Sequence, residues 1–194
     1  MPDKEGHITH FQVPNMDHIK KKALPAKRGS PNDFQTPPIA LLPLLPYLNK
    51  SWTIWECAEG MGWLTKRLRE LGFNTIGSDI NTGEDFLTWK PKEHWDVIVT
   101  NPPYSIKDDF LLRAYELGKP FAFLLPPRAL EGLKRQALYK EHGVGIIMFN
   151  RRVDFRTPSG EGSGSWFPVA WFTHGLGIDG QLRFGEIPKR GKPK

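Results

Sequence analysis

The apolar run Asp96–Thr100 passes without a break into Asn101-Pro102-Pro103-Tyr104, and this junction limits the fold more than any other stretch of the chain. A short apolar run before punctuating residues reads as a buried strand, and consecutive prolines end it, because each fixes φ and removes a ladder N–H. Few backbone arrangements need that tetrapeptide directly after a buried strand. The prolines also hold two hydrogen-bond acceptors in fixed relation, the Asn101 side-chain oxygen and the Pro102 carbonyl, and add no N–H that would compete for them. Such a pair suits a planar amino group. The lone pair of an exocyclic amine is delocalised into its ring, and acceptors that each take one N–H favour a tetrahedral nitrogen able to attack an electrophilic carbon. Tyr104 is then placed to stack on the ring that carries the amine.

Upstream, Trp52–Glu56 reads as a short buried strand, residues 57–62 as a glycine loop, and Trp63, Leu64, Leu68 and Leu71 as one face of a helix. Gly60 and Gly62 let the backbone turn sharply and approach a ligand, while Glu56 at the strand end suits a ligand ammonium or a loop amide. Thr65 stands where a dinucleotide fingerprint has its third glycine, which argues against a pyrophosphate-binding loop. A second strand, Asn74–Ser78, ends at Asp79, close to the ~20 residues at which an acidic side chain meets ribose hydroxyls in doubly wound folds. Asp85 and Phe86 follow. A carboxylate there can accept an adenine amino group, with Phe86 packing on the ring or in the core.

The order Gly60-x-Gly62, acidic strand end at Asp79, Asp85-Phe86 and Asn101-Pro102-Pro103-Tyr104 resembles the S-adenosylmethionine-dependent amino-methyltransferases, specifically the DNA adenine-N6 type. Within that family the chain is similar to the small type found in phages and prophages, and the likeness covers most of the chain. The resemblance implies S-adenosylmethionine as cofactor and a catalytic loop of Asn101, Pro102, Pro103 and Tyr104. Asp33–Pro37 is similar to the segment that contacts the methionine end of the cofactor in this family. Phe34 and Thr36 thereby join Glu56, Gly60, Gly62, Asp79, Asp85, Phe86 and Asn101 in the cofactor site. Cys57 stands where many relatives have proline, a departure expected to alter loop stiffness more than chemistry.

The rest of the pattern is consistent with that family. Ile106–Leu117 reads as a helix, Pro120–Leu125 as a strand, Ala129–Glu141 as a helix, Val144–Phe149 as a strand and Trp166–Thr173 as a final strand. Strands separated by helical patterns argue for a parallel sheet, and the last strand, reached without a helix, has to pair antiparallel. The expected fold is therefore α/β, a Rossmann-like class I methyltransferase with a mostly parallel seven-stranded sheet, an antiparallel last strand and helices on both faces. Between the last two strands lies a basic, glycine-rich loop, residues 151–166, which the resemblance places beside the target base. Arg151, Arg152 and Arg156 suit phosphates, and Phe155 suits the side of an extruded base opposite Tyr104. Trp166 and Trp171 read as core residues.

A chain of 194 residues with 39% hydrophobic content can bury one substantial core. We read residues 31–182 as a catalytic domain, with basic tails at 1–30 and 183–194. Of the net charge of +6, the first tail carries six basic and three acidic groups and the second five and one, leaving −1 for the rest. Clustered lysines and arginines in the tails suit the phosphates of nucleic acid, with salt-sensitive and sequence-independent affinity, and the resemblance makes DNA the expected partner. The single cysteine cannot form an internal disulfide, which points to an intracellular, cytoplasmic setting, and the resemblance implies a phage-infected or lysogenic bacterial host. Residues 39–47 are apolar but twice broken by proline and too short to span a membrane, and are expected to pack on the sheet. The six histidines show no paired ligand spacing, so no structural metal is expected.

The same acceptor pair also fits cytosine N4, adenine in RNA or a glutamine amide, and a non-catalytic binding module of the same fold is a further alternative. Cytosine C5 chemistry is disfavoured, because it needs a cysteine nucleophile and the one cysteine sits in the glycine loop. No segment is long enough for a separate recognition domain, so short specificity is expected, or a partner that supplies it.

Overall fold

In the computed structural model, which describes residues 35–155 and 167–188, the apolar runs become the strands of one seven-stranded sheet. The strands are β1 (Thr53–Glu56), β2 (Asn74–Gly77), β3 (Val97–Thr100), β4 (Phe121–Leu125), β5 (Gly145–Phe149), β6 (Ala170–His174) and β7 (Leu182–Gly185). The α-helices among the described residues are α1 (Trp63–Glu70), α2 (Lys107–Glu116) and α3 (Leu133–His142). Across the sheet the order is β2-β1-β3-β4-β6-β5-β7. All strands run parallel except β6, which pairs antiparallel with β4 on one side and β5 on the other. Helices return the chain to the same end of the sheet after β1, β3 and β4, which is what parallel neighbours require.

Alternation along the strands sorts the core into two layers. Ile54, Val97, Val99, Ala122, Leu124, Ile147 and Trp171 point to one face, covered by Leu64 and Leu68 of α1 and by Ala40, Leu41 and Leu44. The last three lie in and between the short 3-10 turns Pro38–Leu41 and Leu45–Tyr47, so the proline-broken segment does pack on the sheet. The Trp171 indole N–H donates to the Ala40 carbonyl at 2.8 Å, closing the one polar group a buried tryptophan brings. Trp55, Ile98, Phe121, Phe123 and Phe172 point to the other face, under Phe110, Leu111 and Ala114 of α2 and the ring of Phe86. Every residue of β3 and β4 is buried, as parallel strands covered on both faces must be.

The structure departs from the sequence reading in three places. The antiparallel strand is not the last. β6 is followed by β7, which pairs parallel with β5 and spans the expected boundary between domain and tail. An outer strand needs no continuous apolar run, and Leu182-Arg183-Phe184-Gly185 blends into a basic stretch. The second departure is the expected helix from Ala129. Pro127–Leu130 forms a 3-10 turn, Gly132 takes φ +104°, and α3 starts only at Leu133. The third is the strand expected from Trp166. That residue lies outside the described residues, and β6 begins at Ala170.

Candidate active site

Because β1, β2, β3 and β4 are parallel neighbours, their C-terminal ends share one rim. The glycine loop follows β1, Asp79 follows β2, and Asn101–Tyr104 follows β3, so the fold gathers on that rim residues up to 47 positions apart.

Glu56 ends β1 with only 2% of its surface exposed. Its Oε1 accepts the Ala58 N–H at 3.2 Å and the hydroxyl of Thr100, the last residue of β3. Burial pushes the carboxyl up to about 8, against the lowering effect of those bonds, and the neighbouring carboxylates Glu59 and Asp79 add to the rise. At neutral pH the group is mostly protonated. Burial likewise raises the Cys57 thiol well above its ordinary range, so the one cysteine is not poised as a nucleophile.

The glycine loop is pinned from three sides. Gly60 and Gly62 take φ +57° and +75°, values that favour glycine. The Gly60 N–H donates to Asp79 Oδ2 at 2.9 Å, while Asp79 Oδ1 accepts the Asn81 amide N–H at 2.9 Å and its side-chain Nδ2 at 2.7 Å. A carboxylate offers about four lone-pair sites, so Asp79 can brace the loop and still accept from a diol. Gln35 Oε1 accepts the Met61 N–H at 3.1 Å, and a Cβ on Gly60 would lie 3.0 Å from Gln35 Nε2. Thr36, beside it in the chain, is buried. The segment before the first strand therefore does reach the loop, although Phe34 lies outside the described residues.

Past Thr100, the Asn101 side-chain oxygen and Pro102 are buried at the rim. Pro103 leads into a 3-10 turn, Tyr104–Ile106, that feeds α2. The Tyr104 ring packs against both core layers and meets the Phe167 ring edge-on, with centroids 5.7 Å apart. Its hydroxyl is buried without a hydrogen-bond partner among the described residues, and burial raises the phenol above its ordinary range.

Other expected site residues have a structural task here. Asp85 Oδ1 accepts the Leu87 N–H at 3.0 Å, and its carbonyl accepts from Thr88 and Trp89 at 2.9 and 2.7 Å, so it organises a turn. Phe86 is 1% exposed and packs its ring 4.6 Å from that of Phe110 and 5.3 Å from that of Trp55. Phe155 is 2% exposed within the core layer that holds Tyr104, so it does not offer an open ring; Phe167 is the aromatic residue that faces Tyr104. Arg151 Nη1 donates to the Pro188 carbonyl at 3.0 Å, Arg152 is exposed, and Arg156 lies outside the described residues. Thr100, Gln35 and Phe167 escaped the sequence reading. A polar residue closing the apolar β3 run was the available signal for Thr100; Gln35 and Phe167 had none.

Two carboxyl groups at the ends of adjacent strands, with a glycine loop between them, suit a ligand that carries an ammonium and a ribose. No protein-family model matches the sequence, and no curated protein matches it either. Solved structures do match. A protein assigned as an RNA methyltransferase of Pyrococcus horikoshii superposes with TM-score 0.51 at 17% identity, over 70% of this chain and 82% of that one. A protein assigned to the class I S-adenosylmethionine-dependent methyltransferases of Listeria monocytogenes gives 0.52 at 14%, over 84% and 69%. The type I restriction-modification methyltransferase subunit of Streptococcus thermophilus gives 0.50 at 16%, over 82% of this chain and 49% of that subunit, about half its length. The likeness is one of fold: the chain has the Rossmann-like class I methyltransferase fold.

Proposed function

We propose that this chain transfers a methyl group from S-adenosylmethionine to the N6 amino group of adenine in DNA, by direct in-line attack on an extruded base. The observation that carries the reading is the Asn101 loop at the end of β3, on the same rim as the glycine loop braced by Asp79. The residues present suit the cofactor. Glu56 would meet its ammonium and Asp79 its ribose, with Gly60 and Gly62 allowing close approach, and the cofactor supplies an electrophilic methyl on a sulfonium. Asn101 Oδ1 and the Pro102 carbonyl each take one N–H of the adenine amine, drawing its lone pair onto nitrogen. Tyr104 holds the base plane. The amine nitrogen would use its lone pair to form the new N–C bond while the C–S bonding pair stays on sulfur, which becomes a neutral thioether, and the acidic product ammonium would lose its proton to solvent. No covalent intermediate and no dedicated base are needed. The basic tails and Arg152 favour nucleic acid over a glutamine amide.

The test is incubation of the protein with tritiated cofactor and, separately, duplex DNA, single-stranded DNA, tRNA and a protein extract, with Asn101→Ala alongside. Label recovered as N6-methyladenine in DNA, and lost in the variant, is the expected outcome. Label in RNA or on glutamine would replace the substrate, and no label despite cofactor binding would overturn the enzymatic reading.

A further inference from the structure

The turn after β4 presents apolar side chains to solvent on the rim that carries the Asn101 loop. Leu133 is 89% exposed and Leu130 42%. As β3 and β4 are parallel neighbours, this turn and the Asn101 loop emerge side by side. Leu133 is the first residue of α3, which starts at that rim. Helical Cα–Cβ bonds tilt toward the N-terminus, so Leu133 leans up and out of the rim, away from the sheet.

Side-chain bonds brace the protrusion. Arg135 Nε donates to the Ala129 carbonyl at 2.8 Å and Nη2 to the Glu131 carbonyl, while Nη1 lies 2.6 Å from Asp108 Oδ1. Gln136 Nε2 donates to the Leu130 carbonyl and the Tyr139 hydroxyl to that of Ala129, both at 3.2 Å. Asp108 is the second residue of α2 and stands four positions after Tyr104. One guanidinium thus ties the leucine-bearing turn to the helix that the Asn101 loop feeds.

Cations flank it. Arg128 and Lys134 are exposed and form no ion pair among the described residues; Glu131 is the one acidic side chain between them. Further along the rim, Arg151 Nη1 donates to the Pro188 carbonyl. Apolar side chains bracketed by unpaired cations complement a duplex, whose phosphates lie outside a stack of apolar base faces.

We infer that Leu133, backed by Leu130, is a wedge that enters duplex DNA beside the target adenine and fills the gap this base leaves, with Arg128 and Lys134 on the flanking phosphates. The inference rests on the extruded-adenine reading above. Leu133 is a positioning residue: it acts on the equilibrium between stacked and extruded base and touches no reacting atom. A substrate whose adenine is already unstacked has no need of it.

The experiment compares the full chain with Leu133→Ser and Leu133→Met on a random-sequence duplex pool and on the same pool as single strands, reading tritium transfer and cofactor affinity. Leu133→Ser should lose about ten-fold or more on duplex while staying within about two-fold on single strands, with Leu133→Met near wild type and cofactor affinity unchanged in both. Equal activity of Leu133→Ser and wild type on duplex, or an equal loss on both pools, overturns the wedge while the methyltransferase reading stands. A wild-type chain that labels neither pool refutes that parent reading and the wedge with it.

Discussion

Replacing Glu56 with glutamine isolates the consequence of burying its carboxyl. An unfolded glutamate titrates at 4.5, whereas in the fold burial moves Glu56 to about 8. Between those values the folded chain binds one more proton than the unfolded chain, so stability is fully present below 4.5 and is lost as pH rises through 8. At about 1.4 kcal/mol per pH unit, the loss grows from about 1 kcal/mol at pH 5 to about 4 kcal/mol at pH 8. That is a large share of the ~5–15 kcal/mol that holds an ordinary domain. Glu56→Gln keeps a side-chain carbonyl for the Thr100 hydroxyl and the Ala58 N–H but cannot titrate. Urea unfolding of both proteins from pH 5 to 9 should show near-equal stability at the acid end and a more stable variant at pH 8. Parallel pH profiles for the two proteins would refute the reasoning, because the carboxyl would then ionise alike in the folded and unfolded chains.

Cofactor binding should tighten as pH rises toward 8, because Glu56 must release its proton to meet an ammonium; calorimetry in two buffers of different ionisation enthalpy counts that proton, and none released would argue against the contact. Asp79→Ala removes the acceptor of the Gly60 and Asn81 donors and should weaken cofactor affinity by about ten-fold or more by titration calorimetry, the fold being kept. Phe155→Ala should cost about 3–5 kcal/mol in urea unfolding, since the ring is buried in the core; an unchanged midpoint would return Phe155 to the surface of the site. Gly145→Ala should cost about 1–3 kcal/mol, because a Cβ there would lie 2.5 Å from the Ile178 carbonyl oxygen and 2.6 Å from Thr173 Oγ1, and a silent substitution would show that the Ile178 backbone facing β5 yields easily.

The parts of the fold that were legible in the sequence are those buried from both sides. Val97–Thr100 and Phe121–Leu125 read as strands because a central parallel strand has no polar face to show. β7 was hidden for the opposite reason: Leu182 and Phe184 are exposed, so its pattern is that of a charged tail. In the site, the glycines and the proline pair stood out because backbone geometry demands those residue types, and Glu56 and Asp79 because each puts a charge at the end of a strand. The Gln35 bond to Met61 and the Phe167 contact with Tyr104 depend on tertiary folding across distant stretches, and no local pattern encodes them. Phe86 and Phe155 show the remaining ambiguity. An aromatic residue near a motif has the same letter whether it faces a ligand or plugs the core.

β6 is synthesised after β5 yet stands between β4 and β5, and this fixes an order of assembly. The block β2-β1-β3-β4 can pair as it leaves the ribosome, but β5 has no neighbour in the sheet until β6 or β7 follows it. Until then β4, apolar throughout, is an open edge able to recruit strands from other chains. A chain cut short before Ala170 would keep the whole glycine loop and the Asn101 loop and still be prone to aggregate, the half that bears those loops intact in sequence but left without the strand that seals it.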